Sequence, residues 1–196
     1  MSTSSASAQR TLTEHTVPIP PIRLAHVVFR TNQLTRMTEW YSTVLAARTV
    51  FANENLAFLT YDEEHHRIAL IGSEEYAPRP GEVTVGFYHA AFTFDDLGAL
   101  LSTYRRLHLE GIDPFRTIHH GPTVSMYYRD PDGNDIEFQV DVFPDADQAT
   151  DWMAGEVFTR NPVGTLFDPE ELVARYLDGT PLHELVRRSD DPPATG

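Results

Sequence analysis

Glu137 sits between Ile136 and Phe138 in the stretch DIEFQV, where a carboxylate needs a reason. Alternation along a strand places Ile136, Phe138 and Val140 on one face and Glu137 with Gln139 on the other. If both faces are covered, the carboxylate is costly unless it is paired or bound to a metal. The chain has no cysteine, so any metal must be held by His, Asp or Glu. His26 in RLAHVVFR and His89 in GFYHAAFTF each stand in a short apolar strand candidate and are followed by small or apolar residues. Two histidines and one carboxylate form a donor set that suits non-haem Fe(II) with open coordination positions. The plain alternative for a single strand glutamate is a solvated face; the matched histidines weigh against it.

The elements that must position these residues repeat. Each histidine-bearing strand leads into a helix candidate. The first is LTRMTEWYSTVLAA, with Met37, Trp40, Tyr41, Val44 and Leu45 on one stripe. The second is LGALLSTYRRLHLEG, with Leu97, Leu100, Leu101, Tyr104 and Leu107, ending at Gly111. Three strand candidates complete each half: RTVFA, LAFLTYD and HRIALIG in the first, FRTIHH, TVSMYYRD and DIEFQV in the second. The pattern is βαβββ twice over. The turn before the last strand, DPDGND, is built for reversal. Pro131 sets its own φ, Asp132 and Asn134 can bond local backbone, and Gly133 supplies a positive φ. Its glycine is out of place for a calcium loop and no bidentate glutamate follows at the required spacing.

A chain of 196 residues with 41% hydrophobic content is enough for one α+β domain with a real core. The formal charge of −14, with only 15 Lys and Arg scattered along the chain, argues against nucleic acid. No apolar run approaches the roughly 20 residues of a membrane span, and the N-terminus lacks the apolar segment of a secretory signal, so the expectation is a cytoplasmic protein. The chain divides into a disordered Ser/Thr-rich tail (1–20), paired βαβββ modules over 21–143 (about 22–75 and 86–143), and a C-terminal helical extension over 144–196. In the extension, FDPEELVARYLDG reads as a helix with Asp168 as cap, Pro169 at its first position and a stop at Gly179, and PLHELVRR as another turn or two. Its apolar residues Leu172, Val173, Tyr176 and Leu177 must cover something, whether the back of the sheet, the mouth of the site or a dimer contact.

The two βαβββ units, the histidine on the first strand of each, and DPDGNDIEF closing the second together resemble the vicinal oxygen chelate superfamily, which includes glyoxalase I, bleomycin-resistance proteins and extradiol dioxygenases. The resemblance covers roughly residues 22 to 143. It implies curved sheets closing into a cup around a divalent metal held by His26, His89 and Glu137. Aligning YDEEHHRIAL with RDPDGNDIEF pairs Ala69 with Glu137, so the first module has alanine where glyoxalase-like members carry a fourth protein ligand. Three ligands leave room for a chelating catechol and dioxygen. The resemblance is therefore strongest to an extradiol ring-cleavage dioxygenase using Fe(II), with Mn(II) as the other metal.

Further site residues follow from that resemblance. EEHHRIAL resembles the His-His pair before the last strand of the first module, with His66 beside the substrate. Regular strand parity would put His65, with Arg67, on the face of Ala69, and a bulge would bring His66 inward instead. HHGPTVSMYYRDPDGN resembles the His-Gly motif and the tyrosine preceding the glutamate, matched by His120 and Tyr127, with His119 open as the alternative. His120 or His66 is implied to handle protons and Tyr127 to orient a bound oxygen atom. The implied partners are a catechol-type diol and dioxygen, in a homo-oligomer. A metal-dependent lyase or isomerase of the same superfamily and a metal-free, resistance-type binding protein are the competing readings.

Overall fold

The computed structural model describes residues 20–79, 81 and 85–191. The N-terminal tail, apart from Pro20, and the final five residues lie outside the described residues. The first module runs β1 (Val27–Thr31), α1 (Leu34–Val44), β2 (Arg48–Ala52), β3 (Leu56–Thr60) and β4 (Ile68–Gly72). The second runs β5 (His89–Thr93), α2 (Leu97–Leu109), β6 (Arg116–His119), β7 (Thr123–Arg129) and β8 (Asp135–Asp141). The expected βαβββ order is present in both. Each forms its own sheet, β1-β4-β3-β2 and β5-β8-β7-β6, with the first strand parallel to the last and the others antiparallel.

The helices form where the apolar stripes predict, and their ends have local causes. Leu97, Leu100, Leu101, Tyr104 and Leu107 are the buried residues of α2, and Asp96 caps it by accepting from the Ala99 backbone N–H at 2.8 Å. Gly111, at φ 74°, terminates it as a left-handed residue past the last turn. α1 stops at Val44, short of the expected Ala47. Ala46 takes a positive φ of 49° and the Ala47 N–H reaches back to the Ser42 carbonyl at 3.0 Å, a Schellman-type ending built without glycine. Both helices pack on the apolar strand faces, where Leu59, Ile68 and Leu70 meet α1 and Met126, Ile136 and Phe138 meet α2 in one continuous core. Burying each such side chain contributes about 2 kcal/mol.

Register carries the functional consequence. In the first module Val28 pairs with Ala69, and Ala69 with Phe58; in the second Ala91 pairs with Glu137, and Glu137 with Tyr127. His26 lies two residues before Val28 and His89 two before Ala91, so the pairings reproduce the repeat: position 69 occupies in one sheet the place of position 137 in the other. One strand reading and one turn reading that bear on the site need correction. β1 starts at Val27, not Arg23, so His26 precedes the first ladder pair and is exposed. The turn at 130–134 is not organised by Asp132 and Asn134. Buried Asp130 accepts from the backbone N–H groups of both, at 2.9 and 2.8 Å, while its other oxygen takes the Asn134 side chain at 2.8 Å and the Tyr41 hydroxyl at 3.0 Å.

The C-terminal extension is not purely helical. It contains α3 (Ala146–Met153), α4 (Glu156–Arg160), a short strand β9 (Thr165–Leu166), α5 (Pro169–Leu177) and α6 (Leu182–Leu185). β9 adds to β6 and covers the outer edge of the second sheet, which would otherwise present unpaired backbone. α5 has its expected Asp168 cap and Pro169. It packs on α2, burying Leu172 and Val173 while Tyr176 and Leu177 stay exposed, and Tyr104 donates to Glu170 at 2.6 Å. The buried part of that stripe therefore packs against α2, the helix on the back of the second sheet, and not on the sheet itself.

Candidate active site

The second sheet turns its polar face away from the helices. Ile136, Phe138 and Val140 of β8 enter the core, which leaves Glu137 on the opposite face beside His89 and Tyr127. Glu137 is only 5% exposed. Its Oε2 lies 2.9 Å from His89 Nε2 and its Oε1 3.8 Å from His120 Nε2. The Tyr127 hydroxyl is 2.8 Å from His120 Nε2, and the His89 ring meets the Tyr127 ring edge-on at 5.5 Å. The buried carboxylate of the sequence thus has imidazole partners.

Strand pairing also sends the two adjacent histidines to opposite faces of the sheet. In the β6–β7 register Thr117 and His119 stand opposite Met126 and Val124, which are core residues, so they share the helix-side face. Arg116 and Ile118 stand opposite Tyr127 and Ser125, and His120 continues their parity onto the face of Glu137. His119 instead contacts the Val186 carbonyl of the extension at 2.7 Å. Burial lowers the pKa of His120 from its ordinary value, against a raising contribution from Glu137. Burial, followed by the Glu137 charge, pushes Tyr127 well above the ordinary phenol range and keeps it a proton donor.

The first sheet carries its own group. The His66 ring stacks on Phe58 at 4.5 Å and lies 4.4 Å from the His26 ring. Phe58 is the register partner of Ala69, so His66 reaches that face although regular alternation would have sent His65 there. The reason is that β4 begins only at Ile68; residues 62–65 form an irregular turn in which Asp62 accepts from Glu64 N–H and pairs with Arg67. His65 is exposed, its Nδ1 2.6 Å from that of His66. Desolvation, then the neighbouring His26 and His65, lower the His66 pKa.

Of the expected metal trio, the structure brings His89 and Glu137 together and places His26 with His66. Among the described residues no three of His, Asp and Glu stand close enough together to hold one ion. The donor chemistry of the assembled pair nevertheless fits a divalent cation. Two donor atoms each about 2.1 Å from an octahedral ion stand about 3 Å apart, the separation found between His89 Nε2 and Glu137 Oε2. His89 Nδ1 is buried without a hydrogen-bond partner.

Two residues of this region escaped the sequence reading. Arg116 lies over the Tyr127 ring at 4.7 Å, a position that the alternation of β6 against β7 could have indicated. Asp130 ties the turn before Glu137 to α1 of the other module; its place ahead of Pro131 was the only local signal. Burial raises its pKa, opposed by the hydrogen bonds it accepts.

This architecture recurs in solved structures. A lactoylglutathione lyase from Agrobacterium tumefaciens, 21% identical, matches 62% of this chain and 96% of its own with a TM-score of 0.51. A glyoxalase/dioxygenase from Nostoc punctiforme, 19% identical, matches 70% of this chain and all of its own with a TM-score of 0.50. These likenesses establish the fold. The family model for the glyoxalase/bleomycin resistance protein/dioxygenase superfamily matches residues 23–138, and the chain belongs to that superfamily. Two relatives from Rhodococcus globerulus extend the similarity into the C-terminal extension. Biphenyl-2,3-diol 1,2-dioxygenase 3 is 47% identical over 168 residues, covering 85% of this chain and 88% of that protein. Biphenyl-2,3-diol 1,2-dioxygenase 2 is 44% identical over 164 residues, covering 84% and 86%. No helix among the described residues is long and apolar enough to cross a membrane.

Proposed function

We propose that this protein is an extradiol dioxygenase that opens the ring of a catechol-type aromatic diol with dioxygen, using Fe(II), or Mn(II), held by His26, His89 and Glu137. The reading is carried by the cluster on the second sheet: a buried carboxylate with an imidazole nitrogen 2.9 Å away, and a histidine–tyrosine hydrogen bond beside it. Relatives at 44–47% identity that act on biphenyl-2,3-diol supply the substrate class, a catechol bearing an aryl substituent. The metal would acidify a chelating catechol hydroxyl and bring diol and dioxygen together.

The protein groups do the rest. His120, with Nε2 directed at the Tyr127 hydroxyl, takes the second catechol proton and later returns one. Tyr127, held protonated, orients an oxygen of the bound diol. His66, stacked on Phe58, is the second proton-handling group. Both atoms of dioxygen end in the ring-opened product, so no external reductant is required. Ala69 offers no fourth donor, which favours this chemistry over a lyase or isomerase of the same superfamily. The test is anaerobic reconstitution with Fe(II), followed by oxygen uptake and yellow ring-fission product with biphenyl-2,3-diol and catechol. Metal-loaded protein that consumes no oxygen with either diol would refute the assignment.

We also propose that the working unit is a homo-oligomer in which the His26 completing one donor set belongs to a second copy. Its support is the division of the trio between two sheets, together with the apolar residues that the first sheet leaves uncovered on one face, where Val28, Phe51 and Ile71 are 50, 46 and 38% exposed. Mixing His26→Ala chains with Glu137→Ala chains should restore part of the metal binding that each lacks alone. A monomer in solution holding one metal ion would overturn this.

A further inference from the structure

The corner between β6 and β7, His119-His120-Gly121, is wrapped by the extension. His120 Nδ1 lies 2.5 Å from the Val163 carbonyl oxygen. A carbonyl only accepts, so in the neutral ring the proton sits on Nδ1 and the Nε2 lone pair faces the Tyr127 hydroxyl at 2.8 Å. The Val163 carbonyl is itself held in place. Asn161 bridges the turn that presents it, its side chain donating to the Gly164 carbonyl at 2.9 Å and accepting from the Gly164 N–H at 3.0 Å. Arg188, 1% exposed, donates to the His120 carbonyl at 2.9 Å, the Asn161 carbonyl at 3.1 Å and the Val157 carbonyl at 3.2 Å, and pairs with Asp190 at 2.6 Å.

The packing admits no slack. A Cβ on Gly164 would lie 2.2 Å from the His119 carbonyl oxygen, and one on Gly121 would lie 2.0 Å from the Trp152 ring. Trp152 is in turn 5.0 Å from the Arg188 guanidinium. Backbone and side chain of His120 are therefore both fixed from outside the two modules, by residues 152–190.

We propose that the C-terminal extension is a positioning device for His120, in which the Val163 carbonyl selects the Nδ1–H tautomer and Asn161 and Arg188 are the positioning residues that hold it. This deepens the reading of His120 as a proton-handling group and rests on it. The extension thereby gives the imidazole an available Nε2, which an unrestrained ring would offer only part of the time.

Two measurements test this. The first is independent of activity. In the ring-¹⁵N NMR spectrum of the metal-free full chain, His120 should show a protonated Nδ1 and a bare Nε2, and Asn161→Ala should shift it toward a mixture of tautomers. A parent His120 protonated on Nε2 would overturn the proposal. The second is a double-mutant cycle on the Fe(II)-loaded enzyme. Asn161→Ala should lower kcat at least tenfold, with KM for the diol and metal content within about twofold, and should lower it little further in a His120→Gln background. Equal losses in both backgrounds, or no loss in the first, would show that the extension does not act through His120. Should Asn161→Ala fail to fold, Arg188→Lys, which keeps the charge but not the forked donor set, serves the same cycle. A parent with the expected tautomer but no oxygen uptake would instead sink the dioxygenase reading and leave the tautomer selection standing.

Discussion

Tyr127 stands directly opposite Glu137 in the antiparallel pairing of β7 with β8, and the corresponding rung of the first sheet holds Phe58 opposite Ala69. One rung is polar and the other apolar, although the two modules share a topology. The acid, the phenol and the His120 corner therefore belong to the second module, while the first contributes His26 and His66 on a face that also carries Val28, Arg30 and Phe58.

That asymmetry makes Ala69 a direct test of the repeat. Ala69→Glu should add a carboxylate at the place equivalent to Glu137, hold metal at least as tightly as the parent, and lose oxygen uptake because a coordination position is filled. Paired metal titration and oxygen-electrode assays read both properties. Full activity in a folded variant would mean that position 69 does not face the metal.

Removing a donor should remove the ion. His89→Ala and Glu137→Gln are each expected to purify with well below one metal per chain after anaerobic loading with Fe(II). Their far-ultraviolet circular dichroism should stay unchanged, since the face they occupy lies opposite the core. Stoichiometric metal in His89→Ala would refute the ligand assignment.

The proton-handling residues should behave differently. His120→Ala and His66→Ala are expected to keep their metal and to lose on the order of a hundredfold in turnover, the scale of general acid or base catalysis. Metal analysis alongside kcat separates this outcome from loss of a ligand.

Asp130→Ala should destabilise the fold without touching the site's chemistry. It strands the Tyr41 hydroxyl and two turn N–H groups that Asp130 now satisfies. The expected loss is about 3 kcal/mol, read from the urea midpoint. A change under 1 kcal/mol would mean that the turn holds without this carboxylate.

His119 should make the seating of the extension sensitive to acid. Its Nε2 serves the Val186 carbonyl and its Nδ1 accepts from the Gly121 N–H at 3.1 Å, so the neutral ring is fully used. Burial lowers its pKa, with Arg188 and His120 acting in the same direction and the Val186 carbonyl and Asp191 opposing. Because the folded value lies below the unfolded value of about 6.5, the stabilisation is complete above that pH and is lost as pH falls through the folded value. Protection factors of the amides in residues 182–188 should fall as the pH drops below about 6.5 in the parent, and fall less in His119→Gln. An equal fall in both would place the acid sensitivity elsewhere.

Much of this was legible in one dimension. The duplicated βαβββ order, the helix stripes, the cap at Asp168 and the oddity of Glu137 are local facts, set by side-chain periodicity and turn chemistry within a few residues. The equivalence of Ala69 with Glu137 could be read because a repeat turns an alignment into a spatial statement. The choice between His119 and His120, and between His65 and His66, could not. Neighbouring residues differ by one step of strand parity, and which step faces the site depends on where β6 and β4 begin and end against their partners. The division of His26 from the His89–Glu137 pair is equally a matter of tertiary arrangement, and the grip of Val163 and Arg188 on His120 joins residues far apart in sequence through backbone carbonyls. A carbonyl is identical at every position of a chain. Its role as a hydrogen-bond acceptor is decided only when tertiary packing brings it to a particular nitrogen.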